Sequence, residues 1–525
     1  MTSTLPILKS ALNPIVSWKD YLRFVWLLDA ARSMGIHLSA GKGSGKSTIM
    51  GRIIAWQDFI RGTPQVIFDP HGPTIDNFLN KIMHLPPALQ AKAWAKVIYV
   101  DMSGKTGYVV PFPLYYRLGD EGPYEISQRF LDVVRKIDPF LQTASVEGWN
   151  ALWRTGTYTG MMLSALGLQI TEAEQLLENP VAWENKFNWA SAHQPDAGPA
   201  ANFLRDLGRM DGKLRSRRVE SFLNKIAIFS LDPSMRAMFG SALPGINWQE
   251  AITKGQTILF DFRHEHDVER RRFKMVWAFN YFLDFIKHRE AGRHKPIGLI
   301  IDELTSLFSL HALAGDLFGS ELDELINVIA RNYSIWLTIA HQEMFQLTEQ
   351  VMKSLMTMGT QILGVTSDPE AAKRMAEIYF TYDPFWVKKY IPTYASINGM
   401  PVIIDYTSEE FKLDEQIAMH SRKFMQQGRF QFLVKTALGE GSMLGNLRPV
   451  SIERFDQGIY PNDSALLETR QWLTSRNGIS VDLILEDIAK RTEGINSIKQ
   501  LSTPGRKAIA PKETGISFWD EDVLK

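Results

Sequence analysis

Short apolar runs rich in β-branched residues recur along this chain, and longer stretches with helical spacing of their apolar positions separate them. Such runs are typical of strands buried on both faces, and the intervening stretches are typical of helices that cover them. The predicted strands lie at residues 65–68, 96–100, 257–262, 297–301, 335–340 and 361–365. This alternation predicts a parallel α/β sheet.

The character of the chain changes between residues 114 and 250, where long amphipathic segments occur with almost no strand signal. We interpret this region as a helical domain inserted into the α/β core. Beyond residue 401 we expect a strand pair near 402–405 and 429–435, and then a helical segment at 463–491. The predicted units are an N-terminal segment (1–34), the first part of the core (35–113), the inserted helical domain (114–250), the second part of the core (251–400), a C-terminal extension (401–491) and a flexible tail (492–525).

Composition narrows the functional classes. The 525 residues include 58 Lys and Arg, 58 Asp and Glu and no Cys. A formally neutral chain is unlike a generally basic nucleic-acid binder, so any contact with nucleic acid must be local. Without Cys there is neither a disulfide nor a thiolate metal site. No apolar run reaches the roughly 18 residues of a membrane span, so we expect a cytoplasmic protein with no integral membrane anchor.

Residues 36–48 combine an apolar run, a turn of small residues and the start of a helix. This order is the one that a phosphate-binding P-loop requires, because backbone N–H groups must face the phosphates. Lys46 would reach the terminal phosphates of ATP, and the hydroxyl of Ser47 would bind Mg²⁺. The predicted nucleotide-binding residues are Ala40, Gly41, Lys42, Gly43, Ser44, Gly45, Lys46, Ser47 and Thr48.

Two letters of this loop depart from the commonest pattern. Ala40 stands where the first glycine usually lies, and a residue this small is tolerable there. Lys42 occupies a position in the middle of the loop. It either adds a phosphate contact or is simply solvated, and both interpretations stay open.

Two carboxylates follow the predicted strand at 297–301. Asp302 is predicted to hold Mg²⁺ together with Ser47, and Glu303 to orient or deprotonate the attacking water. By itself, a buried strand that ends in an exposed acidic turn would explain the pair as well. The preceding P-loop favours the catalytic interpretation.

The segment at residues 330–342 carries two further candidates. Gln342 follows the predicted strand at 335–340, at the sheet edge where ligands bind, and its amide could sense the γ-phosphate or order water. Arg331 precedes this strand and could extend into the nucleotide site of a neighbouring subunit. The alternative for Arg331 is an ordinary solvated surface cation.

Other candidates are less specific. The turn Asp69-Pro70-His71-Gly72 either helps to hold the nucleotide pocket or is only a tight connection between strand and helix. Basic residues gather between 205 and 225, and they either grip DNA backbone or form a solvated helix face. The predicted DNA-binding residues among them are Arg215, Arg217, Arg218 and Lys225. The loop at 305–319 is our first candidate for a pore loop, because it directly follows Glu303.

Five motifs together resemble those of the FtsK/HerA superfamily of hexameric DNA-pumping ATPases: AxxxxGKS, FDPHG, LIIDE, ARNYSIWLTIAHQ and VTSDPEAAKRMAE. Within this superfamily the chain most resembles the TraD/TraG-like conjugative coupling ATPases and their HerA-like relatives. The resemblance runs from about residue 37 to 365, with a looser match through residue 490. It implies a RecA-like P-loop NTPase sheet with an inserted all-helical domain and a C-terminal α+β or helical extension. It also implies ATP and Mg²⁺ as cofactors, catalysis by Lys46, Asp302, Glu303 and Gln342, and Arg331 acting across subunits.

From this we expect a ring-forming homo-oligomer, a hexamer by resemblance, that hydrolyses ATP and moves double-stranded or single-stranded DNA in conjugative transfer, element mobilisation or packaging. A nuclease, a relaxase or a secretion channel are candidate partners. The alternative is a nucleotide-dependent, HerA-like assembly ATPase that binds a nuclease or other effector without processive translocation.

Overall fold

The computed structural model describes residues 32–137, 146–289, 294–307, 321–342, 347, 349–436, 448–452 and 462–493. The predicted N-terminal segment (1–34) and tail (492–525) lie almost wholly outside these residues, and so does most of the loop at 305–319. The interpretations of these three segments therefore stay predictions.

A nine-stranded sheet forms the centre of the described part of the chain. The strands are β1 (Ile36–Ser39), β2 (Gln65–Asp69), β3 (Val97–Asp101), β4 (Tyr108–Val109), β5 (Thr257–Asp261), β6 (Ile297–Ile301), β7 (Ile335–His341), β8 (Thr360–Leu363), β9 (Val387–Ile397), β10 (Met400–Glu410), β11 (Gln431–Thr436), β12 (Arg448–Ser451) and β13 (Ile479–Ser480). Nine of these strands form the sheet, in the order β12-β11-β8-β1-β7-β6-β2-β5-β3, whereas β9 pairs with β10 and β4 with β13 in two separate two-stranded sheets. The seven strands from β8 to β3 run parallel. Beyond β8, the strands β11 and β12 continue the sheet with antiparallel pairing. The predicted α/β class with a RecA-like parallel sheet is confirmed.

The parallel strands place all their carboxyl ends along one edge of the sheet, here called the carboxyl edge, and their starts along the opposite amino edge. Ser39 at the end of β1 lies beside His341 of β7 and Leu363 of β8. Strands β1, β2, β5, β6, β7 and β8 are buried at every position. Burial on both faces explains why they are continuous apolar runs in the sequence.

Helices cover the sheet and fill the region between β4 and β5. They are α1 (Lys46–Thr48), α2 (Trp56–Ile60), α3 (Pro73–Met83), α4 (Pro87–Ala95), α5 (Pro123–Ile137), α6 (Val146–Ala165), α7 (Ala173–Glu178), α8 (Glu184–His193), α9 (Gly198–Arg209), α10 (Gly212–Ile226), α11 (Ile228–Leu231), α12 (Pro233–Gly240), α13 (Trp248–Thr253), α14 (Val268–Lys287), α15 (Leu304–Leu307), α16 (Ala330–Asn332), α17 (Glu349–Met356), α18 (Pro369–Tyr379), α19 (Leu413–Met425), α20 (Asp463–Asn477) and α21 (Val481–Glu493). A π-helical segment, Ile49–Ala55, joins α1 to α2.

The helices between β4 and β5 share a hydrophobic core with one face of the sheet. Phe130 and Phe229 of these helices belong to the same buried cluster as Phe68 of β2 and Phe260 of β5. No strand occurs in the described residues between 110 and 256. The helical region is thus packed onto the sheet through a continuous core.

The expected strand pair near 402–405 and 429–435 is wrong in its pairing, although both strands form. Residues 402–405 belong to β10, which pairs with β9 in a separate hairpin. Residues 431–436 form β11, which joins the main sheet beside β8. Strand pairing over long distances is decided by tertiary packing, which local periodicity does not report. Of the helices in the described part of the chain, none combines the length and apolar character needed to cross a bilayer.

Candidate active site

The P-loop lies at the carboxyl edge, between β1 and α1. Gly43 and Gly45 have φ values of 79° and 103°, a region that residues with a Cβ rarely adopt. The N–H of Gly41 donates a hydrogen bond of 2.8 Å to the carbonyl of Val365, just after β8. The neighbouring strand therefore helps to hold the loop in shape.

Ala40 fits into this loop because of what lies beside it. Its side chain is buried, and it packs against Gly364, where an added Cβ would lie only 2.6 Å from the Cβ of Ala40. The loop usually begins with a glycine. Here it begins with Ala40, and the lack of a side chain at Gly364 leaves room for the methyl group of Ala40. Lys42 is exposed, and both interpretations of it stay open.

Lys46 brings the P-loop and the strand β6 together. Its Nζ lies 2.8 Å from Oδ1 of Asp302 and 3.3 Å from Oε2 of Glu303. All three side chains are almost fully buried. Burial alone would lower the pKa of Lys46, but the two adjacent carboxylates outweigh it, and the pKa is raised. Lys46 is therefore a fixed positive charge at this site.

Oxygen atoms suited to Mg²⁺ converge next to this lysine. The hydroxyl of Ser47 donates to Oδ2 of Asp302 at 3.3 Å, and the hydroxyl of Thr74 donates to the same oxygen at 2.7 Å. Carboxylate and hydroxyl oxygens are the hard ligands that Mg²⁺ prefers. The structure thus brings the predicted metal-binding residues Ser47 and Asp302 together, and Thr74 is an addition that the sequence did not indicate.

Glu303 has an unusual backbone. Its φ of 70° places a residue with a long side chain in the left-handed region, which costs about 1–3 kcal/mol and is often found at functional sites. The hydroxyl of Thr305 donates to Oε1 of Glu303 at 2.7 Å, and Oε2 contacts Lys46. The carboxylate is therefore held by two partners, one of them Lys46 of the P-loop.

The Asp69-Pro70-His71-Gly72 turn has a structural role that supports the site. The buried carboxylate of Asp69 accepts hydrogen bonds from the N–H groups of His71, Gly72, Thr74 and Ile75, at distances from 2.6 to 3.0 Å. This carboxylate caps the start of α3 and fixes Thr74 against Asp302. Both interpretations of the turn are therefore compatible with the geometry, since a tight connection also shapes the pocket.

Burial is the largest influence on Asp69, and it raises the pKa of this carboxyl to about 7. The carboxylates of Asp302 and Asp261 raise this pKa further, against the backbone N–H groups, which lower it. Three strands thus bring carboxylates close together at one edge of the sheet. A cation bound among them would relieve this repulsion.

Gln342 lies at the same edge as the P-loop. It directly follows His341, which is beside Ser39 at the end of β1, and its side chain is half-buried. Behind it, His37 of β1 and His341 stack with ring centroids 5.0 Å apart, and their Nε2 atoms are 2.8 Å apart. This buried histidine pair was not predicted, because an isolated His in an apolar run carries no local signal.

Arg331 does not lie near the Lys46 site of its own chain. It is exposed on α16, which precedes β7, and thus lies at the amino edge. The seven residues of β7 separate it from the carboxyl edge by roughly 20 Å. It borders a cavity of about 280 Å³ that is also lined by Met34, Gly35 and Met358.

The predicted DNA-binding residues lie on α10, which packs against α6 in the helical region between β4 and β5. Arg217 and Arg218 are exposed, whereas Arg215 and Lys225 are half-buried. The guanidinium of Arg218 lies 5.4 Å from the ring centroid of Phe203. The two exposed cations are the members of the set best placed to contact a phosphate backbone.

The strand, the glycine-bearing loop, the helix and the carboxylates of a second strand together define a RecA-like P-loop fold. No family model and no curated protein matches the chain. Among solved structures it is similar to the bacterial conjugative coupling protein TrwBdeltaN70 in an unbound form, at 15% identity over 82% of this chain and 88% of that one, with a TM-score of 0.47. It is also similar to the plasmid coupling protein TrwB in complex with the ATP analogue ADPNP, at 16% identity over 83% and 92%, with a TM-score of 0.47.

A third similar structure is VirB4 of Thermoanaerobacter pseudethanolicus, at 12% identity over 66% of this chain and 81% of that one, with a TM-score of 0.41. These are proteins of the kind that the sequence motifs resemble.

Proposed function

We propose that this protein is an ATPase that forms a ring and couples ATP hydrolysis to movement along DNA. The observation that carries the nucleotide-hydrolysing part is the contact of Lys46 with Asp302 and Glu303 at the mouth of a P-loop. This arrangement supports a triphosphate site in which one cation and one metal-binding carboxylate face the same phosphate.

In this proposal each residue has a separate task. Mg²⁺, held by Ser47 and Asp302, would neutralise charge on the β- and γ-phosphates. Lys46 binds the terminal phosphate, and the backbone N–H groups of the loop bind the phosphate before it. Glu303, released from Lys46, orients a water molecule for attack and accepts its proton. Gln342 contacts the γ-phosphate or this water from β7.

The separation of Arg331 from its own P-loop supports assembly. A guanidinium at the amino edge cannot reach Lys46 across the length of β7, but it can reach the carboxyl edge of a neighbouring copy. Contacts between two different surfaces of identical chains form rings when the rotation closes. We propose a ring on this basis, a hexamer by the resemblance of the motifs, with DNA gripped through its backbone by Arg217 and Arg218 and with little sequence preference.

The decisive experiment measures ATPase activity against the length of added duplex DNA, together with the mass of the particle in the presence of ATP and Mg²⁺. We expect a ring, and activity that rises with DNA length. Lys46→Ala and Glu303→Gln should both strongly lower the activity without preventing expression of a folded chain. A monomer with full activity would contradict the proposal.

The hairpin β9–β10 favours a second candidate, an ATP-dependent assembly switch that recruits an effector protein. Three tyrosines, Tyr390, Tyr394 and Tyr406, lie on one face of this hairpin and are each more than half exposed. Exposed aromatic side chains are common at protein interfaces. A ring whose ATPase rate is the same with and without DNA would favour this candidate over the translocase.

A further inference from the structure

A tight turn from the C-terminal part of the chain lies directly on the P-loop. The turn at residues 428–431 is closed by a hydrogen bond of 3.1 Å from the N–H of Gln431 to the carbonyl of Gly428. Its third residue, Phe430, donates its N–H to the carbonyl of Ser44 at 2.8 Å. The carbonyl of Phe430 in turn accepts the N–H of Ile452 at 2.9 Å. The turn is therefore anchored on both sides.

Phe430 is in a conformation that its residue type disfavours. Its φ is 63°, and the third position of a turn with positive φ is normally occupied by Gly or Asn. The ring packs so closely on Gly45 that a Cβ at Gly45 would overlap it. A strained bulky residue that contacts the phosphate-binding loop indicates a role beyond the turn itself.

Arg429 completes a flat surface at this position. Its guanidinium lies 4.7 Å from the ring centroid of Phe430, and the side chain is exposed. A guanidinium over an aromatic ring is favourable, and both groups can stack on a planar ligand. Together Arg429 and Phe430 form what we call the stacking pair.

The sheet order indicates which part of a nucleotide this pair would meet. Asp302 and Glu303 follow β6, on one side of β1. The stacking pair precedes β11, on the other side of β1. If the γ-phosphate lies at Lys46 and Asp302, a nucleoside end that points toward β8 and β11 would meet the stacking pair.

We propose that the base of the bound nucleotide packs against Arg429 and Phe430. This inference rests on the proposed nucleotide site and adds the residues that receive its nucleoside end. Every base offers a planar face, so recognition by stacking discriminates poorly between them. The site is consequently expected to accept adenine and guanine nucleotides with similar affinity.

The test compares ligands with and without a base on the full chain. Calorimetry gives the Kd of ADP, GDP and inorganic pyrophosphate, each with Mg²⁺, for the wild type and for Arg429→Ala and Phe430→Gly. We expect both variants to weaken ADP and GDP binding by roughly 10-fold or more and to leave the Kd of pyrophosphate unchanged. Phe430→Gly places in the turn the residue that its φ favours, and an unchanged Kd for pyrophosphate would show that the P-loop keeps its shape without the ring.

Two controls separate this inference from the proposed function. Arg374→Ala removes an exposed arginine from α18 and should change none of the three Kd values. Lys46→Ala should weaken all three ligands, and if it does not, the proposed nucleotide site itself is wrong. If Arg429→Ala weakens pyrophosphate as much as ADP, or weakens neither, the base does not lie on the stacking pair.

Discussion

The carboxyl and amino edges of the sheet differ in charge and in order. At the carboxyl edge, Asp69, Asp101, Asp261 and Asp302 end four neighbouring strands and are all buried. Hydrogen bonds from the following loops hold the first three in place. At the amino edge Arg331 is exposed beside a cavity. One edge is thus a preorganised acidic site with Lys46 at its centre, and the other presents a guanidinium outward.

This difference suggests why hydrolysis would depend on assembly. A transition state at the carboxyl edge gains negative charge on the transferred phosphoryl group, and an added guanidinium stabilises it. Arg331 lies on the helix before β7, too far from Lys46 to act at the site of its own chain, and in the proposed function it acts at the site of a neighbouring copy. Assembly would therefore complete the site.

The largest expected effect comes from removing the amino-edge cation. Arg331→Ala should lower kcat by about 10³-fold or more while the Kd of nucleotide changes little, because the guanidinium acts on the transition state of the neighbour's site. Steady-state ATPase assays and nucleotide binding by calorimetry measure these two quantities.

Mixing provides the control for this prediction. Arg331→Ala and Lys46→Ala subunits together should recover part of the activity, because some interfaces then combine an intact P-loop with an intact Arg331. No recovery at any ratio would show that Arg331 is a solvated surface cation, and the two edges would then be unrelated.

Glu303→Gln tests the carboxyl edge alone. The amide keeps the size of the side chain but cannot accept the proton of water, so we expect kcat to fall by about 10²-fold or more. Nucleotide binding should persist, because Lys46 and the loop amides are unchanged. The matched control is Glu324→Gln, at an exposed position whose carboxylate pairs with Lys287, and it should leave kcat unchanged.

His37→Asn tests the support behind the P-loop. Burial lowers the pKa of His37 to about 4, against the hydrogen bond to Gln361, which raises it. A group with a depressed pKa in the folded state contributes stability above its unfolded pKa, and this contribution is lost as pH falls from about 6.5 to about 4. Protonation would also set two N–H groups against each other, because Nε2 of His37 faces Nε2 of His341.

We therefore expect the wild type to lose about 3 kcal/mol more unfolding free energy than His37→Asn between pH 6.5 and pH 4. Urea unfolding at a series of pH values measures this difference. If the unfolding free energy falls equally with pH in the two proteins, His37 is not the cause of the loss of stability at low pH.

The smallest expected effect concerns α10, which belongs to neither edge. Replacing Arg217 and Arg218 with Gln should reduce the slope of log K against log salt for duplex DNA by about one per lost phosphate contact. Fluorescence anisotropy with a labelled duplex at several salt concentrations measures this slope. An unchanged slope would place the DNA contact elsewhere and would leave the α10 cations as a solvated face.

Local sequence patterns predicted many of the candidate site residues at the carboxyl edge and few of the residues that surround them. Lys46, Ser47, Asp302 and Glu303 were predicted because a P-loop and a strand ending in carboxylates are each contained in a few consecutive residues. The structure brings these four together. It leaves Arg331 and the α10 cations apart from them, and their roles stay proposals.

Other features needed the tertiary structure. Lys274 belongs to the basic run 270–274, yet it is fully buried and contacts Glu265 at 2.6 Å. Thr74 lies in the first turn of α3, where its N–H donates to Asp69 and its hydroxyl donates to Asp302. A side chain's partner depends on how its helix is rotated against the sheet, which a run of letters does not specify.

By itself, the sequence determined that this chain forms a parallel sheet with a P-loop at the end of its first described strand, because burial on both faces and the demands of phosphate binding leave local marks. Only the tertiary structure decided the order of the strands, the contact of Phe430 with Gly45 and the position of Arg331 at the amino edge, opposite the P-loop. These depend on contacts between residues far apart in the chain, whose free energy comes from packing and from long-range strand pairing.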